Sequence, residues 1–258
     1  MRFLSFLVPV KLHNLSFIRD DEGNELTDSL LRANLFNDHF TNIHKTVPLT
    51  QPVSGNNDLL YVENLAKLSN ITSFSIPFVT VDYVETQLKL LDTTKATGID
   101  NTNAKYLKVS AAVIAPVLTH IFNCNIKTSV FPSAFKVGNV IQKYKTGDKF
   151  DKTNYRPISI LLVVSLIVER HVNLHFKTFL EANDLLYSRQ SGFREIHSCQ
   201  TSLIRIIDDW ITAIGNNQIV GTLMLDLYKA FALVNHSNLL TELEAYGLHI
   251  SILDWFKS

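Results

Sequence analysis

The sequence predicts an α/β fold in which helices dominate, and three observations support this prediction. Apolar residues recur at helical intervals over several long stretches. Between Ile219 and Leu227 the apolar pattern changes to period two, which is typical of a buried strand. The 258 residues, 46% of them hydrophobic, are enough to bury a substantial core.

Charge is distributed unevenly along a chain whose formal net charge is zero. Zero net charge argues against a strongly basic nucleic-acid binder. From Lys136 to Arg156, however, six basic residues face two acids, and from Thr201 to the end three bases face six acids. This division suits a protein that holds phosphates with one segment and metal ions with another. Charge alone favours an ordinary solvated surface.

Two cysteines, Cys124 and Cys199, are too few and too far apart to predict a disulfide framework or a zinc site. They indicate a reducing compartment, so we expect an intracellular protein of the cytoplasm or nucleus. The apolar run at the start, MRFLSFLVPV, lacks a signal-peptide cleavage pattern. It is also far shorter than the roughly 20 residues of a membrane span. We therefore expect no membrane partner.

In chain order, the first predicted element is a polar turn over 20–28 with Gly23 at its centre. Thr27 or Asp28 can cap the helix that follows. The apolar positions of this helix recur at helical spacing and are Leu31, Leu35, Phe36 and Phe40. The next segment, 47–70, is rich in Pro, Ser, Asn and Gly, which predicts a loop or linker.

A second helix is predicted after Thr80 or Asp82, either of which can cap it. Its apolar face consists of Val84, Leu88 and Leu91. A longer helical pattern follows and is interrupted by Pro116. Because proline is best tolerated in the first turn of a helix, we expect two helices that meet near Ala115.

Two amphipathic helices are expected before the strand. The first lies within 165–186, and its apolar face consists of Val168, Val172, Phe176 and Phe179. The second carries a broad apolar stripe, which predicts a core helix packed beneath a sheet. The stripe consists of Leu203, Ile206, Ile207, Trp210, Ile211 and Ile214. After the strand, a further helix is expected to end at Gly247.

The predicted strand from Ile219 to Leu227 carries a carboxylate near its end, Asp226, which is the only charge in the run. Burying an acid at the end of an apolar strand is costly unless a cation or metal ion neutralises it. Alternatively, Asp226 sits just before a helix and accepts backbone N–H bonds there. The strand by itself leaves both interpretations open.

The run LDLYKAF followed by VNH resembles the first catalytic motif of the reverse transcriptases of non-LTR retrotransposons. The resemblance implies that Asp226 is catalytic. With the backbone carbonyl of Leu227, it would ligate Mg²⁺ for two-metal nucleotidyl transfer. The resemblance also implies that Phe231 lies beneath the sugar of the incoming nucleotide, although plain core packing would place an aromatic residue there too. The sequence departs from the family at Ala232 and Asn235, where acids are usual.

Further motifs, in the order they have in that family, extend the resemblance over most of the chain. FPSAFK, KTGDK and NYRPIS imply that Lys145 and Arg156 bind the triphosphate of the incoming nucleotide. KATGID implies that Lys95 contacts the template or primer backbone, although a helix C-cap with a solvated lysine has the same pattern. RQSGFREIHS implies that Arg194 contacts phosphate. His197 has no second ligand at metal-binding spacing, so we expect a capping or packing role for it.

The resemblance implies a partial right-hand polymerase fold with fingers, the first palm strand and helices. It divides the chain into an N-terminal connector with a linker (1–76), a fingers-like part (77–200) and the start of a palm (201–258). Polymerases of this family carry two adjacent aspartates on a later strand-turn-strand element, which has no counterpart in this sequence. We therefore expect an incomplete reverse-transcriptase domain that is inactive by itself.

The predicted function is that of an RNA-directed DNA polymerase. Its expected partners are an RNA template, a DNA primer and deoxynucleoside triphosphates, and its expected cofactor in the intact enzyme is Mg²⁺. A second interpretation is a catalytically inactive retrotransposon remnant that binds RNA or DNA weakly through 136–156. A third, an unrelated α/β enzyme, requires the ordered motifs to be coincidental.

Overall fold

A computed structural model describes residues 15–46, 73–227 and 229–258 of the chain. In these residues helices dominate and the strands form two small antiparallel sheets, consistent with a helix-rich α/β fold. The strands are β1 (Ile18–Arg19), β2 (Glu25–Leu26), β3 (Asn139–Tyr144) and β4 (Tyr155–Ile160). The helices are α1 (Ser29–Thr46), α2 (Val81–Lys89), α3 (Ala104–Val109), α4 (Ala111–Thr128), α5 (Ser165–Ala182), α6 (Cys199–Gly215), α7 (His236–Ala245) and α8 (Ile250–Lys257). Short 3-10 helices lie at Ser133–Lys136, Lys152–Asn154 and Ala230–Leu233.

Residues 15–42 form what we call the N-terminal unit, in which β1, β2 and the first turns of α1 pack together. The turn between β1 and β2 forms as predicted, because the Asp20 carboxylate accepts the backbone N–H groups of Glu22 and Asn24, and Gly23 supplies a φ of +87°. Asp28 caps α1 by accepting the N–H groups of Leu30 and Leu31, which confirms the predicted cap. The predicted linker at 47–70 lies outside the described residues.

The main hydrophobic core lies among α2, α4, α5 and α8. The predicted Thr80 cap of α2 is confirmed, since its side chain accepts the N–H of Tyr83, and the predicted apolar residue Leu88 is fully buried. Trp255 on α8 is buried and donates its indole N–H to the Asn125 side chain on α4, at 2.7 Å. A buried indole needs such a partner, so this hydrogen bond fixes α8 against α4.

The predicted break at Ala115 is wrong. The helices instead part at Ser110, which separates α3 from α4, and Pro116 lies inside α4. A proline there removes the hydrogen bond that the Ala112 carbonyl would accept. Ala112 is exposed, so water can satisfy that carbonyl, while Ala115 next to the proline is fully buried in the core. Burial of this helix face outweighs the lost bond.

Helix α6 forms where it was predicted, but its apolar stripe is not buried. Ser198 and Thr201 make a reciprocal capping box that starts the helix. Within the stripe, Trp210 is half-buried, and Leu203, Ile206, Ile207, Ile211 and Ile214 are exposed. The prediction of a buried core helix is therefore wrong for the described chain. Periodicity identified the apolar face correctly, but no described sheet covers it.

The strand predicted from Ile219 to Leu227 is also wrong. This segment has no strand pairing, and its side chains are exposed apart from that of Val220, which is half-buried. A strand is stable only when a neighbour accepts and donates its backbone hydrogen bonds. None of the described strands lies beside this segment. The first palm strand is therefore not formed, and the right-hand polymerase arrangement stays a prediction.

The helix predicted after that segment forms as α7. Asn235 caps α7 by accepting the N–H groups of Ser237 and Asn238, and Gly247 follows its end with a φ of +84°. Among the described helices, none has the length and apolar character needed to cross a membrane. The predicted division of the chain into three parts stays a prediction.

Candidate functional site

The candidate site is built on the β3–β4 hairpin, whose strands pair antiparallel from Asn139 opposite Ile160 to Tyr144 opposite Tyr155. The Lys145 N–H donates to the Asn154 carbonyl at 2.9 Å, one residue beyond the ladder. Hydrogen-bonded and non-hydrogen-bonded pairs alternate along such a ladder. Gln142 and Pro157 therefore form a non-hydrogen-bonded pair, so the proline lies inside a strand without removing a ladder bond.

Three cations lie on one face of this hairpin. Lys143 and Lys145 share a face because they are two residues apart on an extended chain, and Arg156 joins them as the cross-strand partner of Lys143. All three side chains are exposed. Within the described residues none of them forms an ion pair or a side-chain hydrogen bond. We call Lys143, Lys145 and Arg156 the cationic face.

The other bases of the 136–156 segment have partners. Lys136 donates to the backbone carbonyl of Ser258, Lys149 lies 5.7 Å from the centre of the Tyr144 ring, and Lys152 pairs with Asp21 at 2.6 Å. The local positive charge counted from the sequence is therefore concentrated on the cationic face. Its charge is available to an external anion.

The N-terminal unit holds the tip of the hairpin through polar contacts. Arg19 on β1 pairs with Asp148 at 2.8 Å, and its backbone N–H donates to the Phe150 carbonyl at 2.9 Å. The Phe17 ring stacks on Phe150 with centroids 4.1 Å apart. Lys152 reaches the turn between β1 and β2 through Asp21, and only 11% of its side chain is exposed. Contacts of three kinds therefore fix the hairpin tip.

A small apolar core makes the second connection between the N-terminal unit and the hairpin. Phe36 from α1 and Ile18 from β1 are fully buried against Tyr155 at the start of β4, and the Phe36 and Tyr155 rings meet edge-on at 5.0 Å. The Tyr155 hydroxyl donates to the Lys149 carbonyl, and burial raises the pKa of Tyr155. Because Tyr155 lies beside Arg156 in β4, this core also orients the cationic face.

The Lys95 loop is attached to the other end of the hairpin. Gly98 lies so close to the strand exit that a Cβ atom there would be 2.9 Å from the Leu161 carbonyl oxygen. Lys95 itself is solvated, 78% exposed, and 3.9 Å from Asp92. Arg156 lies five residues before Leu161, which corresponds to roughly 17 Å along an extended chain. The structure thus places the Lys95 loop and the cationic face at opposite ends of one strand.

Arg194 is turned toward the protein. Its Nη1 is 3.5 Å from the Tyr187 carbonyl, and its Nε is 4.0 Å from the Glu181 carboxylate. Its predicted phosphate contact stays a prediction.

The capping or packing role predicted for His197 is wrong, because Ser198 caps α6 and the exposed His197 ring forms a hydrogen bond with the Glu195 carbonyl.

Asp226 and Leu227 lie in the exposed segment before the 3-10 helix that carries Phe231. That short helix contacts α1, and the Phe231 ring, 81% exposed, meets Phe193 edge-on at 6.0 Å. In the described part of the chain no three His, Cys, Asp or Glu side chains cluster as metal ligands would. A pair of Mg²⁺ ions needs several fixed oxygens. Asp226 and the Leu227 carbonyl alone supply too few oxygens for two ions, and their role as metal ligands stays a prediction.

Two residues of the site were missed by reasoning from sequence. Lys143 has no role in the function that the resemblance implies, although its spacing from Lys145 places both side chains on one face of a strand. Arg19 neutralises Asp148 from more than a hundred positions away, and no local pattern in the sequence signals that contact.

Comparisons with known proteins support the polymerase interpretation. No family model matches the chain. It is 26% identical over 187 residues, 71% of its length, to the probable RNA-directed DNA polymerase from transposon BS of Drosophila melanogaster. It is 30% identical over 146 residues, 56% of its length, to the probable RNA-directed DNA polymerase from transposon X-element of the same fly. It is 26% identical over 226 residues, 87% of its length, to the RNA-directed DNA polymerase from mobile element jockey of Drosophila funebris.

The chain spans only 16% to 24% of the length of these three relatives. The second interpretation, an inactive remnant, draws no support from the matches.

Proposed function

We propose that this chain, which is homologous to the RNA-directed DNA polymerases of non-LTR retrotransposons, forms the nucleotide-holding part of a reverse transcriptase. In reverse transcription the 3′-hydroxyl of a DNA primer on an RNA template gives up its proton to solvent, and its oxygen attacks the α-phosphorus of a deoxynucleoside triphosphate. A phosphodiester bond forms, the bond to the β-phosphate breaks, and pyrophosphate leaves with its electron pair. The observation that carries the proposal is the exposed pair Lys145 and Arg156 on one face of a braced hairpin.

The chemistry of these two cations suits a triphosphate. A triphosphate concentrates negative charge in a short chain, and pyrophosphate develops further charge as it leaves. Arg156 offers a planar fork that can donate two hydrogen bonds to phosphate oxygens, while Lys145 is a compact point charge on a long stem. Contacts to the N-terminal unit hold the hairpin in place before the nucleotide binds, which lowers the entropic cost of binding.

The remaining site residues have subsidiary roles in the proposal. Lys95 and Arg194 are proposed contacts to the nucleic-acid backbone, and Phe231 is the proposed platform for the nucleotide sugar. Asp226 and the Leu227 carbonyl are proposed metal ligands of a longer polymerase. Because these two donors alone do not fit a two-metal centre, we derive no step of the reaction through Mg²⁺.

The test is nucleotide and primer–template binding by the 258-residue chain, measured by fluorescence anisotropy over a series of salt concentrations. Lys145→Ala and Arg156→Gln are compared with Lys127→Ala, which removes an exposed lysine from α4. We expect the first two substitutions to weaken binding of a deoxynucleoside triphosphate and the control to leave it unchanged. For nucleic acid, each lost phosphate contact lowers the slope of log affinity against log salt by about 1.

Equal affinities for the wild type, Lys145→Ala and Arg156→Gln would refute the proposed site. Circular dichroism of each variant checks that the fold is retained. Because all three side chains are exposed, we expect unchanged spectra.

A further inference from the structure

The pairing of Lys143 with Arg156 is the feature that the proposed function does not explain. These residues face each other directly across the β3–β4 ladder. The ladder register makes this a hydrogen-bonded pair, with Cα atoms about 5.5 Å apart. Like charges directly opposite each other destabilise a sheet. An isolated hairpin would be more stable with a neutral or acidic residue in place of one of them.

Within the part of the chain that the structure describes, nearby carboxylates do not relieve this repulsion. Asp148 pairs with Arg19 at 2.8 Å, and Asp21 pairs with Lys152 at 2.6 Å. Asp151 accepts the backbone N–H and the hydroxyl of Thr153, each at 2.8 Å. The acids at the hairpin tip are therefore engaged in holding its shape. The next cross-strand pair on the same face, Ile141 with Ile158, is apolar and brings no counter-charge.

The spacing of the three cations is compact. Lys143 and Lys145 are two residues apart on an extended chain, about 6.7 Å, and Arg156 lies across the ladder from the first of them. Long side chains starting from these points can converge on one group of adjacent phosphates. The phosphates of a nucleic-acid strand are separated by sugars, so the same cluster could engage fewer of them at once. The geometry thus favours a polyphosphate chain.

We propose that Lys143 is a third phosphate-binding residue of the cationic face, and that it acts with Lys145 and Arg156 on the triphosphate of a nucleotide. This inference rests on the proposed function and adds a residue to it. The bound polyphosphate supplies the counter-charge that the described residues do not provide at this face of the hairpin. Binding the ligand therefore removes the repulsion between Lys143 and Arg156. Ligand binding is thereby coupled to the stability of the hairpin.

The experiment compares Lys143→Gln, Lys143→Arg and the control Lys127→Gln in the full chain. The probes are a deoxynucleoside triphosphate, the matching monophosphate and a short single-stranded oligonucleotide. We expect Lys143→Gln to weaken triphosphate binding roughly threefold, to leave monophosphate binding nearly unchanged, and to raise the thermal midpoint of the ligand-free chain. Lys143→Arg should retain triphosphate affinity because it retains the charge.

The outcomes separate this inference from the proposed function. If Lys145→Ala and Arg156→Gln weaken triphosphate binding but Lys143→Gln does not, the assignment of Lys143 is overturned and the proposed function stands. If none of the three weakens it, the proposed function itself fails. If Lys143→Gln weakens only the oligonucleotide, the residue binds backbone phosphate and the triphosphate assignment is overturned. A lower midpoint for ligand-free Lys143→Gln would also contradict the inference, because it would show that the lysine stabilises the hairpin.

Discussion

Two regions of this chain carry equally clear sequence signals and have different structures. The braced region, the N-terminal unit with the β3–β4 hairpin, is held by ion pairs, ring stacking and a small core around Phe36. The open region, residues 193–231 with α6 and the segment around Asp226, has no buried side chain among its described residues. Its helix forms, yet its apolar stripe faces outward. The difference lies in whether the described residues include a surface that packs against the region.

This difference separates two kinds of information in a sequence. Caps and turns depend on neighbours in the chain, so the Asp28 cap and the Ser198 capping box form in both regions. Burial depends on distant surfaces, and most helical stability in proteins comes from such packing. Ile18 and Phe36 pack against Tyr155, whereas Ile211 stays exposed in the described chain. Four matched pairs of substitutions test this contrast.

The largest expected effect is that of Phe36→Ala compared with Phe231→Ala. Phe36 is fully buried between Ile18 and Tyr155, so truncation leaves a cavity and should cost about 3–5 kcal/mol of unfolding free energy. Phe231 is 81% exposed, so Phe231→Ala should lower the unfolding free energy by well under about 1 kcal/mol. Urea denaturation followed by circular dichroism measures both. Equal losses would show that the two regions are packed alike.

The next largest expected effect is that of Gly98→Ala compared with Gly221→Ala. A Cβ at Gly98 meets backbone atoms of Leu161 and Leu162 at 2.9 and 3.0 Å, so the Lys95 loop must shift away from the hairpin. We expect a loss of about 1–3 kcal/mol. A Cβ at Gly221 meets no atom within 4 Å, so that substitution should be neutral. Thermal unfolding of the two variants gives the comparison, and a neutral Gly98→Ala would contradict the close approach.

The same contrast explains how much could be predicted from sequence. Turn and cap signals placed the turn around Gly23 and the starts of α1 and α2 correctly, because the residues that decide these features are close in sequence. The period-two pattern at 219–227 is present in the sequence, but the strand that it predicts does not form, because a strand also needs a neighbouring strand to pair with. In the site, spacing could show that Lys145 and Lys143 share a face. It could not show that Arg19 neutralises Asp148, since that contact joins distant parts of the chain.

A third test uses pH and compares His39 in the braced region with His197 in the open region. Burial lowers the pKa of His39 from its ordinary value of 6.5, and the positive charges of Lys229 and Lys152 lower it further. The unfolded chain therefore binds a proton more readily than the folded chain. The stabilising contribution is present above pH 6.5 and is lost as pH falls through the lowered pKa of the folded state.

The measurement is the unfolding free energy at a series of pH values between 7 and about 5 for the wild type, His39→Asn and His197→Asn. We expect His39→Asn to flatten the decline in acid and His197→Asn to leave it unchanged, because His197 is exposed. Burial also lowers the pKa of His171, so part of the decline should persist in His39→Asn. An identical decline in wild type and His39→Asn would show that His39 does not contribute.

The smallest expected effect belongs to Ile211→Gln, and its matched partner is Ile18→Gln. Ile211 is 63% exposed on α6, and glutamine favours a helix at least as well as isoleucine, so the unfolding free energy should stay within about 0.5 kcal/mol of the wild type. Ile18 is fully buried, and an amide placed there without a hydrogen-bond partner should cost several times more. Urea denaturation distinguishes the two. If Ile211→Gln lowers the unfolding free energy by more than about 1.5 kcal/mol, the apolar stripe of α6 is covered in solution. The surface that covers it would then lie outside the described residues.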